Sequence, residues 1–224
     1  MHRVSILTSL AASALIAGCT APSVLVEVLP PRTSATCAAP ARTDAALGRG
    51  LLDVTASLGT HGAYVADLRL SGRGDAFVDG FTVEYGLPEG VNNDVKEAAD
   101  AAAGDLVVGD VALSGSDDDV RVALLQNVQL IPRDLAVALQ ADTGIEIDKV
   151  NYLTIDVTLT PITNNEAIAG AASTFPIDIC KGCLVLPPDI CSDDGEYAQI
   201  PVTCRPGQDT PLFTCVSADV GSEQ

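Results

Sequence analysis

Apolar and polar residues alternate along most of this chain with the period of two that a half-buried strand imposes. Leu153, Ile155, Val157 and Leu159 interleave with Thr154, Asp156, Thr158 and Thr160, the clearest run of this kind. Leu52, Val54, Ala56 and Leu58 interleave with Asp53, Thr55 and Ser57, and Ala66, Leu68 and Leu70 with Asp67 and Arg69. Phe81, Val83 and Tyr85 do the same with Thr82 and Glu84, and Val120, Val122 and Leu124 follow the same rule. The apolar set of such a run is expected to face a core. Val24, Val26 and Val28 predict an opening strand, residues 106–113 another, and residues 174–179 one more.

Turn signals separate these runs: Gly59-Thr60-His61-Gly62, Ser71-Gly72-Arg73-Gly74-Asp75 and Ser114-Gly115-Ser116-Asp117. Seven to nine strands without a βαβ rhythm predict an all-β fold, an antiparallel immunoglobulin-like β-sandwich. One helix is predicted where Asn93 or Asp94 can cap, Glu97 sits in the first turn and an Ala-rich stretch runs to Gly104. Residues 132–142 read both ways, with Leu135, Val137 and Leu139 alternating while Ala136, Ala138 and Gln140 favour helix.

The N-terminus breaks the alternation. Arg3 supplies a positive start, residues 4–17 are almost all apolar or small, and the run ends Leu15-Ile16-Ala17-Gly18-Cys19. A bilayer span needs roughly 20 apolar residues, so this stretch is too short for a transmembrane helix. It resembles a bacterial lipoprotein signal with its lipobox. The resemblance implies a diacylglyceryl group on Cys19 and cleavage just before it. A plain secretory signal that happens to contain a cysteine is the alternative.

The chain is then read as residues 1–18 signal, 19–50 lipidated N-terminus and connector, 51–179 β-sandwich, and 180–224 cysteine-rich tail. Loss of Arg3 leaves 11 Lys and Arg against 30 acidic residues. That balance argues against nucleic acid, whose phosphates need a basic face. It equally argues against electrostatic adhesion to anionic headgroups, leaving membrane attachment to the acyl chains. Aromatics are 4% with no Trp, too few for a sugar-stacking platform, so Val, Leu, Ile and Ala must build the core.

Six cysteines remain beyond Cys19: Cys37, Cys180, Cys183, Cys191, Cys204 and Cys215. An even count in an oxidising compartment predicts disulfides, with pairing left open. If Cys37 pairs with the tail cluster, the connector is pinned back on the far end of the domain. Residues 180–215 hold five cysteines and little apolar material, so covalent staples stand in for a core and make the segment an appendage to the sandwich.

Candidate chemistry is thin. Cys180-Lys181-Gly182-Cys183 has the spacing of a redox dithiol, but Leu184-Val185-Leu186-Pro187-Pro188 cannot supply the helix that such a site needs to activate a thiol. Leu184 stands where a c-type haem site requires His. Zinc on Cys180, Cys183, Cys191 and Cys204 competes poorly with oxidation, so structural cystines are the preferred reading and no metal or cofactor is expected. His61, alone after cleavage, lies in a turn, and no nucleophile elbow accompanies it. Asp117, Asp118 and Asp119, and Asp193, Asp194 and Glu196, offer hard oxygens for calcium without EF-hand spacing and read as solvated turns. Arg73-Gly74-Asp75 reads as a chance match to an integrin-type tripeptide.

One longer pattern stands out. Phe175-Pro176-Ile177-Asp178-Ile179-Cys180-Lys181-Gly182-Cys183-Leu184, then Cys204-Arg205-Pro206-Gly207-Gln208-Asp209-Thr210-Pro211 and Cys215, resembles the tail of uncharacterised predicted lipoproteins of Gram-negative bacteria. The resemblance implies an envelope address and the staples, and no activity. Thr20 is not the Asp that favours inner-membrane retention, which points to outer-membrane sorting. The sequence thus predicts a non-enzymatic, acyl-anchored envelope lipoprotein with a structural or protein-interaction role and an envelope protein as partner. A calcium-dependent binding module, or an envelope enzyme with an unrecognised site, is the alternative.

Overall fold

The computed structural model describes residues 23–30, 46–55, 63–72, 76–113, 121–145, 153–164, 169–184, 195–199, 208–209 and 213–217. Among these residues eleven strands and two helices follow in the order β1 (Ser23–Val28), β2 (Gly50–Asp53), β3 (Tyr64–Gly72), β4 (Ala76–Gly86), α1 (Asn93–Ala102), β5 (Gly104–Leu113), β6 (Arg121–Ile131), α2 (Arg133–Ala141), β7 (Leu153–Thr163), β8 (Ala169–Gly170), β9 (Ser173–Cys180), β10 (Gly195–Gln199) and β11 (Phe213–Ser217). The fold is mostly β and sandwich-like.

One sheet has the order β6-β3-β1-β8 and the other β2-β9-β7-β4-β5, with β10 and β11 forming a separate ribbon. Most neighbours are antiparallel. The exceptions, β1 with β8 and β2 with β9, add parallel pairs at sheet margins. The core lies between the two large sheets, where Val24, Val26, Leu68 and Leu70 meet Phe81, Val83, Ile155, Val157, Leu159, Ile177 and Ile179, all buried. β7 behaves as its alternation requires: Ile155, Val157 and Leu159 point inward while Asp156 stays exposed.

Both helices lie at one end of the sandwich, α1 after β4 and α2 after β6. Asn92 caps α1, one residue before the expected cap, and its side chain accepts from Val95 N at 2.8 Å. The residues readable either way form α2. Leu135, Ala136 and Leu139 are buried at helical spacing while Val137 is 52% exposed, so the alternation there is incidental.

β6 departs from the expected pattern. Its register pairs Leu70 with Ala123 and Leu68 with Leu125. Because one face of β3 is fully buried, that pairing fixes which residues of β6 look inward. Ala123 and Leu125 take those places, half-buried, while Val122 and Leu124 point outward with 58% and 42% exposure. Asn127 then adopts a left-handed φ of +58° at a register shift, and Val128, Leu130 and Ile131 are buried beyond it. Val120 lies outside the described residues.

β2 is also shorter than its alternation suggests. It stops at Asp53, and that carboxylate is buried rather than solvent-facing.

Candidate functional site

β9 runs straight into the CxxC. Cys180 is its last residue and fully buried, Gly182 takes a φ of +87° that favours glycine, and the chain turns back through Cys183 and Leu184. Cys180 and Cys183 are joined as a disulfide with Cα atoms 6.0 Å apart.

The turn is organised by a residue far away in sequence. β2 lies parallel to β9 and pairs Asp53 with Cys180. The Asp53 side chain is thereby directed into the turn, where Oδ1 accepts from Gly182 N at 2.8 Å and from Thr55 N at 2.9 Å. Its Oδ2 accepts from Leu184 N at 2.8 Å. A buried carboxylate is costly unless such donors replace water. Lys181 closes the other side by donating from Nζ to the carbonyl of Asp142, the C-cap of α2.

One carboxylate oxygen of Asp53 and the two sulfurs lie within 4.8 Å of one another. As a reduced trio they would offer two soft ligands and one hard one. As found, the sulfurs bond each other and the carboxylate bonds amides, so the arrangement acts as a clamp. A thiol-activating helix N-terminus is not what faces the sulfurs. Asp53 and its amides do.

The tail is stitched down nearby. Gln208 bridges to Leu52, its side chain donates to Val65 O at 3.1 Å and its Oε1 accepts from Val65 N at 3.2 Å. Asp209 accepts from Leu51 N at 2.7 Å and from the hydroxyl of Tyr64 at 2.8 Å, while its own amide donates to Leu51 O at 2.9 Å. Residues 208–209 therefore cover the junction of β2 and β3 instead of hanging free of the sandwich.

Other expected positions fall elsewhere. Cys215 lies in β11, its backbone paired with Tyr197 of β10, and Glu196 lies in β10. Cys19, Cys37, Cys191, Cys204, His61, the 73–75 tripeptide, Asp117, Asp118, Asp119, Asp193 and Asp194 are outside the described residues. Sequence reasoning missed Asp53, Gln208 and Asp209. Asp53 occupied a polar slot of an alternating strand and carried no separate signal, whereas Gln208-Asp209 stood within the tail pattern.

A cleft of about 220 Å³ opens where the end of α1 meets β4, β5 and the start of α2. Its titratable lining groups are Tyr85 and Asp105, and the Tyr85 hydroxyl already donates to Leu130 O at 3.0 Å. Burial disfavours the phenolate and pushes the Tyr85 pKa up to about 12. The native protein therefore holds this proton where the unfolded chain, near the usual value of 10, releases it. Stability is expected to be unaffected by this group below pH 10 and to fall as pH rises from there toward 12. Denaturant midpoints at pH 9 and pH 11 check this, and Tyr85→Phe should flatten that part of the profile.

Compared with protein-family models, curated proteins and solved structures, the chain matches none.

Proposed function

We propose that the protein is a non-enzymatic, acyl-anchored lipoprotein of the bacterial cell envelope whose role is structural or adaptor-like, presenting an acidic β-sandwich to another envelope component. The observation that carries this reading is the N-terminal sequence, a positive start, a short apolar run and Leu15-Ile16-Ala17-Gly18-Cys19. Three further facts support it. No helix among the described residues is long and apolar enough to cross a membrane, and lipid on Cys19 would supply an anchor that needs none. The Cys180–Cys183 disulfide suits an oxidising compartment. The sandwich begins at Ser23, almost directly after the lipidation site. Thr20 favours the outer membrane as the destination.

Cys19→Ser tests the proposal. The variant is expected to accumulate as unprocessed precursor and to leave the detergent phase on partitioning. A variant that matures and fractionates like the unaltered protein would contradict the reading.

A further inference from the structure

Six large apolar side chains are exposed among the described residues: Leu25, Phe77, Val107, Val122, Leu124 and Val137. Phe77 and Val107 belong to β4 and β5 of one sheet, and Val137 to α2. The other three share a surface. Register places Leu25 beside Ser71 and Ser71 beside Val122, while Glu27, Arg69 and Leu124 form the next row. These are outward-facing positions, because the residues between them, Val24, Val26, Leu68 and Leu70, are core. Leu25 of β1 and Val122 and Leu124 of β6 thus line an outward strip across the sheet, with Ser71 and Arg69 of β3 between them. Its charged neighbours cancel, since Arg69 Nε donates to Glu27 Oε2 at 2.8 Å.

The position of the strip decides what covers it. Only three residues separate Cys19 from Ser23, and an extended chain covers roughly 14 Å over that interval. The start of β1 is therefore held within that distance of any lipid on Cys19. Leu25 is two residues further on, and Val122 and Leu124 are the second and fourth residues of β6, whose start adjoins the end of β3. A Cβ on Gly72 would lie within 3.6 Å of Ser23 O, Val24 Cγ2 and Leu113 Cδ1, so the strand ends gather at this same corner.

We infer that the outer face of β1, β3 and β6 at this corner rests on the bilayer, with Leu25, Val122 and Leu124 entering its interfacial region. The inference rests on lipidation of Cys19. Apolar side chains with a neutral ion pair between them suit the headgroup boundary, where a net carboxylate charge would not. Without Arg3 the chain carries 11 Lys and Arg against 30 acidic residues, so zwitterionic lipid is favoured over anionic lipid.

The absence of Trp from the chain makes the test direct. Leu124→Trp places one fluorophore on the strip, and Val137→Trp places one on the exposed side of α2. Each mature, acylated full-length variant is inserted into phosphatidylcholine–phosphatidylethanolamine vesicles, with and without bromine on the acyl chains. Leu124→Trp is expected to emit further to the blue and to lose at least half its emission to bromine, and Val137→Trp to change little. Adding Leu25→Asp and Val122→Asp should restore the emission while acylation keeps the protein on the vesicles. Should Leu124→Trp fail to give a β-type circular dichroism spectrum, Val122→Trp takes its place. An unquenched Trp on a protein whose mass confirms acylation would overturn the inference and leave the lipoprotein reading standing. A blue shift that grows with protein concentration, without quenching, would assign the strip to a second copy and overturn it too. A native protein without acyl chains on Cys19 would overturn both.

Discussion

Asp53→Ala is expected to lower the unfolding free energy by about 3 to 5 kcal/mol, because it strands several buried donors at once. Gly182 N, Leu184 N and Thr55 N all end on this carboxylate. Each buried amide left without an acceptor costs about 1 to 3 kcal/mol, and contacts within one cluster do not add fully. Asp53→Asn keeps the shape and one acceptor oxygen, so it should lose clearly less. Chemical denaturation of both variants, monitored by far-UV circular dichroism, separates a clamp from a dispensable surface acid. An Asp53→Ala loss below about 1 kcal/mol would mean that the CxxC turn holds its shape unaided.

The second large effect is expected at Asp209, whose removal should cost about 2 to 4 kcal/mol. Tyr64 is among the largest fully buried side chains, and its hydroxyl donates to Asp209 Oδ2. Asp209→Ala leaves that hydroxyl and Leu51 N without this acceptor in a partly buried site. The loss should appear first as faster proteolysis of residues beyond 184, since among the described residues Asp209 and Gln208 hold the tail against β2 and β3. Tyr64→Phe removes one of the two bonds and should cost less. Equal cleavage of tail and sandwich in Asp209→Ala would show that the tail is held by other contacts.

Much of the fold was legible because burial on one side of a sheet writes itself as alternation. β7 is the plainest case, with Ile155, Val157 and Leu159 in the core and Asp156 outside, as the pattern requires. The same rule misread β6. Val122 and Leu124 alternate as well as the residues of β7 do, yet they face outward, because register is set by the neighbour and a shift of one residue exchanges the faces. Ala123 and Leu125, in the opposite phase, are apolar too, and the one polar residue of that phase beside them, Arg121, is itself buried, so it pointed the alternation the wrong way. α2 was ambiguous for a related reason: Leu135 and Leu139 are in register for both a strand and a helix, and only packing decides.

The site was less legible than the fold. Cystines were expected at Cys180 and Cys183 with their pairing left open, and the two are bonded to each other. Their organiser is not a neighbour in sequence. Asp53 reaches them across a parallel pairing of β2 with β9, a contact between residues more than 100 positions apart. An acidic residue in an alternating strand signals solvent, and nothing local marks this one as buried. Asp67 makes the same point on β3, being 1% exposed while its Oδ1 accepts from Asn127 N at the irregularity in β6.

The mass of the intact native protein, alkylated without reduction and extracted from membranes in detergent, tests the central reading most directly. The account predicts a chain that begins at Cys19, carries diacylglyceryl and acyl groups on that residue, and gains no alkyl label at Cys180 or Cys183. A chain that retains Met1, or that begins elsewhere with an unmodified Cys19, would contradict it.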